Sequence, residues 1–519
     1  MNAGTTDHQR DDEKHFEVLL TAEEAYPALE KLFLDARESI LAGFRIFDPA
    51  TKLRSDKARR IGHTWSDLIT HTLDRGVKIH INLSDFDPTV RPSLHAYTGQ
   101  CVQDWHKAAA GSSAAENLKV FRLWHPARVG MLPRLFLWPR LIGEINDQLG
   151  RLQQMSSAQR DAFLDHAPGF RRLIRKHDDR WVARKFPPPP LAPVSHHQKL
   201  AVFDDRLLYI GGLDVNERRY DTLDHDRPAE QTWHDTQLIM DGPIVTEAAT
   251  HLREFQAITA GGTPSKTRHL LRTISQRRRF AMPFLSPKPC LTELADAHYD
   301  RIEKAEKLIY LETQFLRDTD LAKALAKRGR DHPKLTLIVV LPAAPEDIAF
   351  ENEPGSDAAY GEHLQVACLK TLRDAFGPRA LFCAPAQMRS ATDDSRASHY
   401  RAPLIYLHAK VSIFDDHSAI VSSGNLNGRS MSWDTEAGLA LDDNWQVETL
   451  RNRCFRNWLG NDVDQAPYGL TTACDAWSRI ATRNAQLMPE QRPNSILPYA
   501  LETAAQDARI LPGVPKEMV

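Results

Sequence analysis

Two short stretches of the chain repeat one chemical pattern. A histidine is followed two residues later by a lysine, and five residues after that by an aspartate. The copies are His197, Lys199, Asp204 and His408, Lys410, Asp415, offset by 211 residues. On a strand, residues two apart point to one face, so each His–Lys pair shares a face. An imidazole beside a fixed cation disfavours its own charged form. The pairing makes sense if an anion sits between the two groups. Two such pairs facing one another would surround one anionic centre with two imidazoles and two ammonium groups. That suits phosphate-ester chemistry. One histidine attacks phosphorus, the other protonates the leaving oxygen, and the lysines balance charge on the non-bridging oxygens.

The repeat extends beyond the motif. HQKLAVFDDRLLYIGGLDVNERRYD from His197 aligns without gaps to HAKVSIFDDHSAIVSSGNLNGRSMS from His408. Phe203/Phe414, Asp205/Asp416, Asn216/Asn427 and Arg218/Arg429 also match, and Asp214 stands opposite Asn425. The elements that must carry these residues repeat as well. Apolar spacing predicts a helix over 25–40, a strand over 40–47, a helix over 64–73 and a strand over 77–83. Residues 200–212 read as strand, turn, strand. After a linker-like stretch at 259–267 the rhythm restarts, with helix 291–305, strand 307–312, helix 321–327 and strand 335–341. Ala36–Phe47 resembles Ala305–Phe315. The chain is therefore expected to be α/β, with two units related by a pseudo-twofold axis and one site on that axis. Residues 104–190 show no clear period, and Pro187–Pro190 excludes helix or central strand there.

Composition bounds the remaining possibilities. Of 519 residues, 42% are hydrophobic and 26% charged, which excludes wholesale disorder. The net charge of −2 argues against a protein that coats nucleic acid. Six cysteines without a C-x-x-C exclude a zinc ribbon or dithiol redox motif and suit a reducing compartment. Besides the motif pair, His196, His225 and His234 lie nearby, but their spacing matches no common zinc pattern. No apolar run of membrane-spanning length and no secretory h-region is visible, so a cytoplasmic or peripheral membrane location is expected, with signal-independent export left open. Residues 121–142 mix Phe, Trp and Leu with spaced arginines, a composition suited to a lipid headgroup interface. The basic stretch 171–185 is either a solvated face or a contact for anionic lipid or polyanion.

The paired motifs, with Gly211-Gly212-Leu213-Asp214 after the first and Ser423-Gly424-Asn425-Leu426-Asn427 after the second, resemble the phospholipase D superfamily. The nearest pattern is that of bacterial phospholipase D and cardiolipin synthase-like proteins. YLETQF at 310–315, and Trp233-His234-Asp235 followed by Asp241-Gly242-Pro243, resemble segments of the same superfamily. The resemblance implies two α/β/α sandwich repeats with the active site at their interface. A disordered tail at 1–15, a first repeat at 16–260, a linker at 261–284 and a second repeat at 285–519 are expected. It implies a covalent phosphohistidine, with His197 as nucleophile and His408 as general acid and then base. Lys199 and Lys410 would hold phosphoryl oxygens together with Asn425, Ser423 and the position of Asp214. Asp235 and Glu436 would orient the imidazoles. Asp204 and Asp415, the last members of the catalytic motifs, are expected to organise the loop after each strand. Ser422 departs from the glycine common at that position. No metal or other cofactor is required. The expected activity is hydrolysis of a glycerophospholipid to phosphatidic acid and headgroup alcohol, with transfer to another alcohol open. The expected form is a monomer with an internal pseudo-dimer that touches membrane and does not bind nucleic acid. Alternatives of the same chemistry are a cardiolipin synthase-type transferase and a superfamily nuclease. A non-catalytic lipid-binding scaffold is the alternative of another class.

Overall fold

The computed structural model describes residues 15–178, 180–350, 355–460, 465–511 and 514–518. The tail expected at 1–15 lies outside the described residues except for residue 15. The described residues form two large mixed sheets of the same topology. In the first, the strands lie in the order Phe16–Leu20, Thr236–Met240, Leu207–Gly211, Leu200–Phe203, Ser39–Phe44, Lys78–Ser84, Leu118–Leu123. In the second, the corresponding order is Leu270–Gln276, Glu436–Leu441, Ser418–Ser422, Lys410–Phe414, Leu308–Thr313, Thr336–Val340, Ala380–Pro385. The second sheet adds Lys288–Thr292 at one edge and Ile496–Pro498 at the other.

The strand directions also repeat. Ser39–Phe44 is parallel to Lys78–Ser84 and antiparallel to Leu200–Phe203. Leu308–Thr313 is parallel to Thr336–Val340 and antiparallel to Lys410–Phe414. Period-two alternation explains how each motif strand serves two layers. Leu200 and Val202 face a core shared by both halves, whereas Ala201 and Phe203 face the outer helices of the first half. Val411 and Ile413 join the shared core, and Phe414 packs into the outer layer of the second half. That shared core includes residues of both sheets together with the helices Pro243–Thr259 and Asn444–Leu459. The two repeats are thus fused along one hydrophobic seam.

The sequence reading needs one correction here. The linker placed at 261–284 contains Leu270–Gln276, which is buried over nearly its whole length and pairs with Glu436–Leu441. Arg272 hid this strand, because a charged residue at its centre breaks the apolar pattern. In the structure its guanidinium is buried and held by Glu293 at 2.8 Å. Residues 104–190, which lacked a clear period, form mostly helices on the first repeat: the end of Pro92–Ala110, then Met131–Gln153 and Ser157–His166, with a small hairpin of Ile174–His177 and Arg180–Ala183. They pack around their own small core of Ile145, Leu149, Leu152, Leu164 and Phe170.

Candidate active site

Each motif aspartate anchors the strand that carries the chemistry. Asp204 accepts hydrogen bonds from the backbone N–H groups of Arg37, Glu38 and Ser39 at 2.8–2.9 Å. Asp415 does the same for Glu306, Lys307 and Leu308, each at 2.8 Å. Both sit in left-handed backbone, φ 52° and 55°, at the tight turn after the motif strand. Short polar side chains tolerate that conformation and can satisfy nearby backbone donors. These two aspartates therefore lie at the far end of the strand from the histidines. They lock the motif hairpin to the start of the neighbouring antiparallel strand. Neither carboxylate reaches the reacting groups, so the two belong to the scaffold and not to the catalytic set.

At the other end of the strands the two halves interlock. The His197 N–H donates to Thr435 O at 2.8 Å, and the His408 N–H donates to His234 O at 2.7 Å. Each backbone bond sets the motif histidine beside the residue that follows its partner. His197 Nδ1 lies 3.1 Å from Glu436 Oε2, and His408 Nδ1 lies 2.6 Å from Asp235 Oδ2. Each carboxylate comes from the opposite repeat. A carboxylate on Nδ1 fixes the tautomer with its proton there and leaves the Nε2 lone pair for chemistry. The lysines fold back over the same ends of the strands. Lys199 Nζ donates to His197 O at 2.6 Å, Lys410 Nζ bonds His408 O, and Lys410 Nζ lies 3.0 Å from His408 Nδ1.

The electrostatics follow from burying six ionisable groups together. Burial first, then Lys199 and Arg45, holds the His197 imidazole well below its usual value. Burial first, then Lys410 and Arg219, does the same for His408. Lys199 and His197 both act on His408, and Lys410 acts on His197, so the two motifs share one field. Burial lowers Lys410 to about 7 and raises Asp235 to about 7. Glu436 is also raised by burial, against the pull of Lys199. Both imidazoles are therefore neutral near pH 7, as a nucleophile must be. An anion arriving between them would favour protonation of one ring.

The structure brings His197, Lys199, His408, Lys410, Asp235 and Glu436 together. It reassigns two of the residues expected to hold phosphate. The Ser423 hydroxyl is fully buried and donates to Glu436 Oε2 at 2.6 Å. It supports the orienting carboxylate and does not face substrate. Asp214 accepts from the Ile46 N–H at 2.9 Å, and its negative charge raises the Lys199 pKa against burial. A carboxylate there repels a phosphate, so Asp214 acts as a counter-charge. Asn425 keeps a buried Oδ1 without a hydrogen-bond partner among the described residues. Ser422 is accommodated: its hydroxyl bonds the backbone of Gly424.

Three contributors escaped the sequence reading. Arg45 follows the Ser39–Phe44 strand and acts on His197. The Arg219 guanidinium lies 3.6 Å from the Trp233 ring centroid, and that ring lies 4.5 Å from the His408 ring. Asp434 accepts from the Ser195 N–H at 2.7 Å and from Arg429 Nε at 2.7 Å, and favours the charged form of His197. A signal existed for the first. Aligning Ala36–Phe47 with Ala305–Phe315 puts Arg45 opposite Gln314, a polar pair just past the end of two buried strands. The His225 and His234 rings lie 5.5 Å apart, and each pairs with a buried carboxylate: His225 with Asp221 at 2.6 Å and His234 with Glu312 at 2.8 Å.

Two interlocked α/β repeats with twin histidine–lysine pairs define the class of protein. A family model described as Phospholipase D matches residues 349–454. Phospholipase D1 of Saccharomyces cerevisiae is 21% identical over 399 residues, covering 56% of this chain and 24% of that protein. Phospholipase D alpha 1 of Oryza sativa subsp. japonica is 21% identical over 457 residues, covering 62% of this chain and 56% of that protein. The matched stretch thus spans from about a quarter to just over half the length of these relatives. Among solved structures, the phosphatidylserine synthase of Haemophilus influenzae superposes with a TM-score of 0.49 at 12% identity, covering 92% of this chain and 95% of that one. The chain is thus similar to phospholipase D proteins, over residues 349–454 by the family model and over 56–62% of its length by these relatives.

Proposed function

We propose that this protein hydrolyses glycerophospholipids to phosphatidic acid and a headgroup alcohol through a phosphohistidine. The observation that carries the reading is the crossed pairing of His197 with Glu436 and of His408 with Asp235. His197 Nε2 attacks phosphorus, forming a P–N bond as the P–O bond to the headgroup breaks. With the anionic phosphodiester bound, His408 takes up a second proton on Nε2 and gives it to the leaving alkoxide. His408 then takes a proton from water, the hydroxide attacks phosphorus, and the P–N bond breaks to restore His197. Lys199 and Lys410 balance the charge that builds on the non-bridging oxygens. The side chain of His197 is 12% exposed and that of His408 4%, which supports His197 as the ring that meets the phosphorus first. An alcohol in place of water would give a transferred phosphatidyl group by the same step.

The test is a headgroup-release screen across phosphatidylcholine, phosphatidylethanolamine, phosphatidylglycerol and cardiolipin, with and without added alcohol, read by thin-layer chromatography. Phosphatidic acid is expected without alcohol, and phosphatidyl alcohol as well when alcohol is present. Product only in the presence of an alcohol acceptor would assign the chain to transfer. Cleavage of DNA with no headgroup release from any of the four lipids would overturn the reading.

A further inference from the structure

The helix Met131–Gln153 carries two apolar stripes where one would suffice. Leu137, Leu141 and Ile145 face inward and pack on the body of the first repeat. Leu132, Leu135 and Phe136, at positions i, i+3 and i+4, point outward, with Leu132 54% and Phe136 88% exposed. A second segment continues the same surface. The Gly130 N–H donates to Phe284 O at 2.8 Å and the Leu132 N–H to Met282 O at 3.1 Å, so residues 280–284 lie alongside the start of the helix. Phe280, Met282 and Phe284 are exposed there as well. Gly130 permits this approach, since a Cβ would lie 1.9 Å from Ala281 O. The apolar ridge is thus built from two distant parts of the chain held in register by backbone hydrogen bonds. Contiguous exposed apolar surface of this kind marks an interaction site.

Its rim is cationic. Arg277, Arg278 and Arg279 lead directly into Phe280, and none of them has a carboxylate partner among the described residues. Farther along, at the turns that carry Ile145, Leu149 and Leu152, the hairpin of Ile174–His177 and Arg180–Ala183 packs against the same helix and exposes Arg175, Lys176 and Arg180. Arg140, farther along the helix, is already paired with Asp357 at 3.0 Å.

The position of the ridge links it to the site. Lys78–Ser84 and Leu118–Leu123 run parallel to Ser39–Phe44, which is antiparallel to Leu200–Phe203. Trp124 therefore leaves the sheet at the end where His197 stands. The His125 ring lies 5.2 Å from His196, Ala127 packs with Val194 and Trp433, and the helix begins at Met131.

We infer that this ridge, formed by Leu132, Leu135, Phe136 and Phe280–Phe284 and flanked by Arg277–Arg279, docks the protein on an anionic phospholipid bilayer. The inference rests on the proposed lipid substrate for the meaning of its position. Apolar side chains enter the headgroup–acyl boundary while arginines meet lipid phosphates, the two contributions that hold a protein at such a surface. Docking there sets the mouth of the site against the plane that holds phosphodiesters.

Binding is tested separately from turnover by sedimenting the His197→Asn protein with vesicles of phosphatidylcholine alone or mixed with phosphatidylglycerol. The mixed vesicles should retain the protein. Leu132→Ser with Phe136→Ser should weaken retention by at least about tenfold. Arg277→Gln, Arg278→Gln and Arg279→Gln together should weaken it further and flatten its salt dependence. In the otherwise unaltered protein, the Leu132→Ser, Phe136→Ser pair should leave turnover of a soluble short-chain phosphodiester unchanged, which reports an intact fold. Undiminished vesicle binding by the serine variant would overturn the proposal. So would a dimer in light scattering that the same variant abolishes without any change in vesicle binding, which would assign the ridge to a second copy of the chain. Because retention needs no catalysis, its failure and the failure of the lipid-hydrolase reading are read independently.

Discussion

The two halves of the site share a scaffold and differ in what surrounds each imidazole. His408 rests against the Trp233 ring, its carboxylate is 2.6 Å away, and Gly212 stands behind that carboxylate. His197 has Arg45 and Asp434 in its field, a carboxylate at 3.1 Å, and Ser423 behind that carboxylate. Gly212 and Ser423 occupy the same position in the repeat. At 212 a Cβ would lie 2.2 Å from Asp235 Oδ1, so no side chain fits. At 423 a hydroxyl fits and shares Glu436. Symmetry brings the rings together, and departures from it give them different surroundings. A ring wedged between an aromatic face and a close carboxylate suits proton transfer. A more open ring among mixed charges suits attack on phosphorus.

The largest expected effects come from removing either ring. His197→Ala and His408→Ala should each lower kcat/KM by at least about four orders of magnitude. Only enzyme that retains His197 should carry labelled phosphate after an alkaline quench. Label on His408 instead would reverse the comparison. Next come the carboxylates. Asp235→Asn should cost about a hundredfold to a thousandfold in kcat, because Asp235 is the acceptor that fixes the His408 tautomer. Glu436→Gln should cost closer to tenfold, since Ser423 O also lies 3.1 Å from His197 Nδ1. Equal losses would show that the second contact does nothing.

The pH profile sharpens the comparison further. Lys410, lowered to about 7 by burial, loses its charge as pH rises through that value. kcat/KM should therefore fall on the alkaline side of about pH 7. Lys410→Arg, which stays protonated, should move that limb upward even if it lowers the maximum. A limb that does not move would assign the fall to another group. The smallest effects belong to the paired positions behind the carboxylates. Gly212→Ser should destabilise the fold by about 1–3 kcal/mol through the forced contact with Asp235. Ser423→Gly should cost about 1–2 kcal/mol, for the hydroxyl's bonds to Glu436 and to the Ala437 backbone. Both are read from thermal melts.

Much of this was legible in the residues. The 211-residue offset exposed the duplication, and period-two spacing put each His with its Lys. The core strands and helices around them were predicted within a few residues, because their apolar periodicity is strong. Three features were less visible, each for a physical reason. Leu270–Gln276 was lost because Arg272 interrupts its pattern, and only Glu293 makes that burial tolerable. The crossing of the carboxylates depends on how two sheets meet, which no local pattern encodes. The reassignment of Ser423 depends on a distance to Glu436, since a buried hydroxyl and a phosphate-binding one read alike in sequence.

The exchange of carboxylates between repeats has a consequence for how such a molecule can be taken apart. Cut between the two sheets, each piece would keep a histidine and a lysine yet lose the group that sets its ring's proton. Neither fragment could perform even half of the reaction. Competence is a property of the closed pair, so turnover reports directly on whether the two pieces have found each other. Severed versions of the chain could then be held in silence and switched on by reunion alone.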